Sequence, residues 1–274
     1  MLIDFHTHIF PEKIAVRAVE ILEANLRANL GECPECHAKK PGNLAALKSS
    51  MKCGGVDISV VLPIATTVTQ SESINTFAKK ITDHDGIISF GSVHPNQGNV
   101  EEEMHKIKEL GLKGIKLHPD YQQFFINSPE SIRVLKLAEK LDLAVVLHSG
   151  VDSGVPHPVH CSPELLADAL NHVSGKKIVA AHMGGFLMYE DVLKYLAKTD
   201  VIFDTAYCLD TMPKDIAMEI INTHGADKML FATDFPWKEA TDILPALKNL
   251  PLTKEEFDMI TYKNACRLLG IGEK

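Results

Sequence analysis

Eight short apolar runs punctuate the chain: Leu2–Phe5, Ile58–Pro63, Ile87–Val93, Gly114–His118, Ala144–His148, Ile178–His182, Val201–Thr205 and Met229–Asp234. They are rich in Val, Ile and Leu and almost free of polar interruption, the pattern of parallel strands buried on both faces. Between them lie stretches of helical period. Val100–Leu110 sets Met104, Ile107 and Leu110 on one face, and Ser131–Leu141 and Asp191–Ala197 repeat the theme. Ser128-Pro129-Glu130 and Ser162-Pro163-Glu164 place serine ahead of a proline at the first helical turn, a start signal. Strand and helix alternating eight times predict an α/β fold of the (β/α)8 TIM-barrel type, as one domain over residues 1–274. An open doubly wound sheet has no preference for eight units, and no GxGxxG follows the first strand. The first βα unit, around residues 9–56, is longer than the later ones. It contains an amphipathic helix around Ile14–Leu30 and a Cys33/Cys36 loop.

Composition narrows the classes of function. A chain of 274 residues, 45% apolar and 23% charged, buries a large core without staples. Its formal charge is −8 and its lysines and arginines are scattered, so the basic stripe of a nucleic-acid binder is missing. No apolar run approaches a membrane span, and Asp4 and His6 stand where a secretory signal would be basic and then apolar. Six cysteines are too sparse for a disulfide scaffold of this size. These features predict a cytoplasmic protein with no nucleic-acid or membrane partner. A homodimer stays open, as the commonest assembly in general.

The strongest chemical signal is Asp4-Phe-His6-Thr-His8. Residues two apart in a strand project to one face, so both imidazoles enter one space at the strand's C-terminal end, the catalytic mouth of a barrel. Neutral imidazoles are common ligands of zinc and related ions. Alone, the pair could equally be two polar residues at a strand end. Its company decides the matter: His148 ends the fifth run, His182 the sixth and Asp234 the eighth, each followed closely by small or turn-forming residues.

The order HxH, His, His, Asp resembles the amidohydrolase superfamily. The texts GIKLHP, HSG, AHMGG and TDFPW, with the closing Asn264–Leu269 segment, are similar to its amidohydrolase family 2 branch, from about residue 1 to 271. The resemblance implies that His6, His8, His148 and Asp234 ligate a divalent metal, and that Asp234 also takes a proton from the activated water. It implies that His182 acts as acid/base, or ligates a second metal in a two-ion site. Lys116 would bridge two ions if carboxylated; otherwise it is a plain cation that orients an anionic substrate or pairs with Asp234. Zinc is the first expectation for the metal, with manganese, iron or cobalt as alternatives, at one or two ions per chain.

Further residues are weaker candidates. His94, His118, Tyr121 and Trp237 are expected to line the substrate pocket, with His157, His160, Phe124 and Phe125 on loops nearby. Asp204 is expected as hydrogen-bonded barrel interior. Cys33 and Cys36, with His37 and Cys53, could form an accessory metal site; a plain loop with free thiols and a redox or disulfide pair are the competing readings. For function, the first expectation is hydrolysis of a C–N or C–O bond in a small carbonyl substrate by metal-activated water. The alternative is metal-dependent non-oxidative decarboxylation, or hydration, of a small aromatic or unsaturated carboxylic acid. A non-catalytic metal-binding barrel would show decay of the ligand positions, and every one is filled.

Overall fold

The computed structural model describes residues 1–82 and 84–272. Eight parallel strands form: β1 (Ile3–Thr7), β2 (Ile58–Val61), β3 (Ile87–Ser89), β4 (Gly114–Leu117), β5 (Ala144–Leu147), β6 (Ile178–Ala180), β7 (Ile202–Asp204) and β8 (Met229–Leu230). Strands β2 to β8 fall inside the expected runs. Strand β1 runs on to Thr7, which brings His6 into the strand itself. Ladders join β1-β2-β3 and β4 through β8 in sequence order. Two seams close the ring. The Lys116 N–H donates to the Gly91 carbonyl at 2.8 Å, and the Phe5 N–H to the Phe231 carbonyl at 2.9 Å. The result is the (β/α)8 barrel the alternation predicts, each strand feeding a segment that packs outside the ring.

The first four long helices are α1 (Ala15–Leu30), α2 (Leu44–Gly54), α3 (Ser71–Ile81) and α4 (Val100–Glu109), of which α1 and α3 line the site's cavity. The serine start signals work as expected: Ser128 Oγ accepts the Ser131 N–H and Ser162 Oγ accepts the Leu165 N–H. The expected helix at Asp191–Ala197 winds instead as a wider π turn over Val192–Leu196, after one short turn at Tyr189–Asp191.

Alternate residues sort into two apolar layers. Ile3, Phe5, Val60, Leu62, Val146 and Val179 fill the barrel's interior, where Phe5 meets Phe90 edge-on at 5.8 Å. Ile115, Leu117, Val145, Leu147, Ile178 and Phe203 face outward onto the helices. This sorting exposes two breaks in parity. In β1 the interior positions are 3 and 5, yet the imidazoles that enter the mouth are 6 and 8; a register shift between Asp4 and Thr7 makes the switch. In β6 the outward set is 178 and 180, and left-handed backbone at His182 (φ 60°) and Met183 (φ 58°) turns His182 inward.

The buried His224 lies outside the mouth. His224 ends the helix Lys214–His224, stacks on Phe203 with centroids 3.8 Å apart, and donates from Nε2 to the Val201 carbonyl at 2.8 Å. Burial, aided by Lys228, pushes its pKa from 6.5 down to about 4. The unfolded chain therefore binds the extra proton first. The contribution is complete above pH 6.5 and fades as pH falls toward 4. Between pH 7 and pH 5 the protein should lose about 2 kcal/mol through this group. In His224→Gln, which retains a donor for Val201, denaturant unfolding should show that much less loss over the same interval. Parallel losses in the two proteins would remove His224 from the acid response.

Candidate active site

The bulge in β1 places His6 and His8 with their Nε2 atoms 3.0 Å apart. Each ring is held by its other nitrogen. His8 Nδ1 lies 2.8 Å from the Leu62 carbonyl oxygen, which only accepts, so the proton of His8 sits on Nδ1. His6 Nδ1 lies 2.8 Å from Asp204 Oδ2, while Lys116 Nζ, a pure donor, lies 3.2 Å from His6 Nε2. Both Nε2 atoms therefore present lone pairs to each other. Asp234 Oδ1 joins them at 3.3 Å from His8 and 3.6 Å from His6. Three lone-pair donors gathered without a proton among them suit a divalent cation, and the hydrogen bonds behind the rings are those that orient metal-binding imidazoles.

A second pair sits beside the first. His182 Nδ1 lies 2.9 Å from the Ala206 carbonyl, so its Nε2 is unprotonated, and it faces His148 Nδ1 at 3.1 Å. The rings of His6 and His182 are 5.4 Å apart, which links the two pairs. His148 Nε2 is buried without a hydrogen-bond partner, as is Asp120 Oδ2, and the two atoms are 3.9 Å apart. Asp152 Oδ2 is also 3.9 Å from His148 Nε2. Two carboxylates on that side favour the proton on Nε2, which leaves Nδ1 open toward His182. Gly150 (φ 87°) lets the loops carrying these histidines touch: the Phe186 N–H donates to the Ser149 carbonyl and the Val151 N–H to the Phe186 carbonyl.

The tight group of three is thus His6, His8 and Asp234, whereas His148 approaches it through His182. The same His148 belongs to another close group with His118 and Asp152. His118 Nε2 donates to Asp152 Oδ2 at 3.2 Å, and its ring stacks on His148 at 4.2 Å. Its Nδ1 accepts the Tyr121 N–H, which opens the short helix Pro119–Gln122. The Lys116 ammonium points at His6 rather than forming the expected pair with Asp234.

Electrostatics follow burial. Burial holds His6 and His148 well below the ordinary histidine value, reinforced at His6 by Lys116 and at His148 by His118. It likewise lowers His118 and brings Lys116 down to about 8. Asp234 moves the other way. Burial opposes its ionisation, but His8, His6 and His182 outweigh it and hold the carboxyl well below the usual range.

Two carboxylates that hold this arrangement carried little signal in sequence. Asp204 was legible as buried interior, and it does more than fill space. Its Oδ2 takes His6 Nδ1 while its Oδ1 accepts the His182 and Ala206 N–H groups. Asp4 accepts from the His6 N–H, the Thr233 N–H and the Thr233 hydroxyl, tying β1 to the segment that carries Asp234. Their only mark in the sequence is spacing: Asp4 two residues before His6, Asp204 at the end of an apolar run. An Asp204→Asn variant cannot satisfy both sides. Its amide NH2 must face either the His6 ring nitrogen or the two N–H donors. The first choice moves the His6 proton onto Nε2, the second leaves donors opposed. Divalent-ion affinity by calorimetry should fall about 10- to 100-fold with the fold retained; unchanged affinity would show that Asp204 does not set the His6 tautomer.

These groups floor a cavity of about 1170 Å3, which His94, His118, Tyr121 and Trp237 also line. Other expectations fall away from it. Phe124 is buried in the outer core, Phe125 is on the surface against His160, His160 is bound to Asp120, and His157 is exposed. Cys33 and Cys36 are joined to each other in a disulfide, which takes both sulfurs out of any ligand set; the accessory metal site is replaced by a covalent turn. Cys53 is an exposed free thiol, and His37 bonds Glu32.

The profile of the amidohydrolase family matches residues 3–271. No curated protein matches the chain. Solved structures similar to it include a dihydroxybenzoic acid decarboxylase from Polaromonas with bound manganese and 2-nitroresorcinol. That one has 15% identity and a TM-score of 0.69, over 100% of this chain and 98% of that one. The 5-carboxyvanillate decarboxylase of Sphingomonas paucimobilis has 15% identity and a TM-score of 0.65, over 99% of each chain. A probable 2-pyrone-4,6-dicarboxylic acid hydrolase from Acinetobacter baumannii has 18% identity and a TM-score of 0.67, over 98% of this chain and 99% of that one. At such identities the likeness establishes the barrel. The family rests on a match that runs from the first strand through the last helix: this chain belongs to the amidohydrolase family and is one of its metal-dependent enzymes.

Proposed function

We propose that the protein catalyses the metal-dependent, non-oxidative decarboxylation of a small aromatic or unsaturated carboxylic acid. The observation that carries this reading is the buried Lys116 ammonium, 3.2 Å from His6 Nε2, beside the His6–His8–Asp234 group. A fixed cation next to an ion site suits a substrate that arrives as a carboxylate. Two of the three solved structures named above are decarboxylases of aromatic acids, which supports this reading over the hydrolysis expected from sequence.

His6, His8 and Asp234 would hold the ion, with His148 at its side; a set of nitrogen and carboxylate donors accepts manganese as well as zinc. The ion supplies Lewis acidity toward the substrate's oxygens. Lys116 orients the carboxylate. His182, whose Nδ1 proton is engaged by the Ala206 carbonyl, would take up a second proton from solvent at its bare Nε2 as the substrate binds. The bond between the carbon and its carboxylate breaks, the electron pair stays on that carbon, and the His182 proton goes to it as carbon dioxide leaves. Solvent then returns a proton to His182. Trp237, Tyr207 and Phe186 line the same cavity and give an aromatic acid flat walls.

Hydrolysis is the second reading, and one observation favours it: Lys116 reaches the ion site, where a carboxylated lysine would join two ions and His148 with His182 would serve the second. Metal-loaded protein incubated with a panel of aryl and α,β-unsaturated acids should release carbon dioxide. A panel of amides and lactones should be left intact. Turnover of the second panel alone, with two ions per chain, would replace decarboxylation by hydrolysis.

A further inference from the structure

Helix α1 is sixteen residues long and buries only Ala15 and Val19. An apolar stripe, Ile14 just before the helix and Ala18, Ile21, Leu22 and Leu26 within it, recurs at the spacing of one helix face, and all five line the cavity that His6, His8 and Asp234 floor. A surface helix ordinarily gains its stability by pressing such a stripe onto a core. Here Ile14 is 50% and Ile21 is 52% exposed. Ile74 and Phe77 of α3, and Leu62 after β2, line the same space, with the polar Thr66, Thr67, Gln70 and Ser73 beside them. Its volume of about 1170 Å3 stands above the range of about 300–1,000 Å3 usual for pockets that take drug-sized ligands. A single-ring acid at the ion site would leave most of it wet. The other strongly exposed apolar residues of α1, Val16 and Leu30, are not on the cavity.

We propose that the substrate carries an extended apolar group, an alkyl or aryl chain, laid between α1 and α3 while its polar end meets the His6–His8–Asp234 group. This rests on that group holding the divalent ion, as above. Its consequence is selectivity by chain length. Each methylene drawn from water onto an apolar wall strengthens binding about two- to fourfold. The disulfide between Cys33 and Cys36 closes the turn that follows α1.

The test is calorimetric binding of n-alkyl hydroxamates, from acetohydroxamate to octanohydroxamate, to the metal-loaded protein. Affinity should climb about two- to fourfold per methylene along the series. In a Leu22→Gln/Leu26→Gln variant acetohydroxamate should bind as before while the climb flattens. A flat series in the wild-type protein, with acetohydroxamate bound, overturns the proposal and leaves the ion site standing. No binding at any length, or equal binding after chelation of the metal, overturns both. Sedimentation supplies a further check: a wild-type dimer that the double substitution converts to monomer would assign the stripe to a second copy, and the proposal would fall.

Discussion

Asp234→Asn should leave a folded barrel that no longer retains a divalent ion. Asp234 supplies the one anionic oxygen of the group of three, at 3.3 Å from His8 Nε2. An amide at the same position can turn its NH2 toward that bare nitrogen, so the variant fills the ion's place with a hydrogen bond. Loss of a directly converging donor should exceed the 10- to 100-fold typical of outer partners, so ion affinity should fall by more than about 100-fold. After dialysis the metal content should drop to a small fraction of the wild-type value, and turnover with it. Stability gives an independent readout. An ion held at 100 times its dissociation constant stabilises the fold by about 2.7 kcal/mol. Chelation should therefore lower the unfolding free energy of the wild-type protein and leave Asp234→Asn unchanged. A variant that keeps its metal would remove Asp234 from the ligand set.

His182→Gln separates the two readings of the chemistry. With one ion and His182 as the proton carrier, metal content should stay at the wild-type level while turnover falls about 10²- to 10⁴-fold, the usual weight of a positioned acid or base. With two ions, His182 lies opposite His148 as a ligand, and the same substitution should cut the metal content from two per chain to one. Full turnover at full metal content would leave His182 without a part in the reaction.

Much of this protein was legible before folding was considered. Eight apolar runs and the helical periods between them determine the barrel, because strands buried on both faces read as near-continuous apolar runs. The pairing of His6 with His8, and the arrival of His148, His182 and Asp234 at the same rim, follow from strand-end placement alone. The family follows from that order of residues and is carried by the match over residues 3–271.

Only the tertiary structure decided how those residues address one another. The β1 register shift and the left-handed turn at His182 bring inward His6, His8 and His182, which strand parity would turn outward. Both depend on partners distant in sequence: Asp4 with Thr233, and Asp204 with His6 and His182. Proton positions on the imidazoles follow from the same long-range contacts, since a ring's free nitrogen is known only once its other nitrogen has met a carbonyl or a carboxylate. So does the destination of Cys33 and Cys36, a disulfide rather than ligands, and the apolar wall of α1, whose stripe looks in sequence like any core-facing helix. That His6 and His8 share one face follows from the period of a strand, which is local; that this face looks inward follows from the register shift. What makes the two nitrogens face each other bare is set by Leu62, Lys116 and Asp204, held in place by the closed ring.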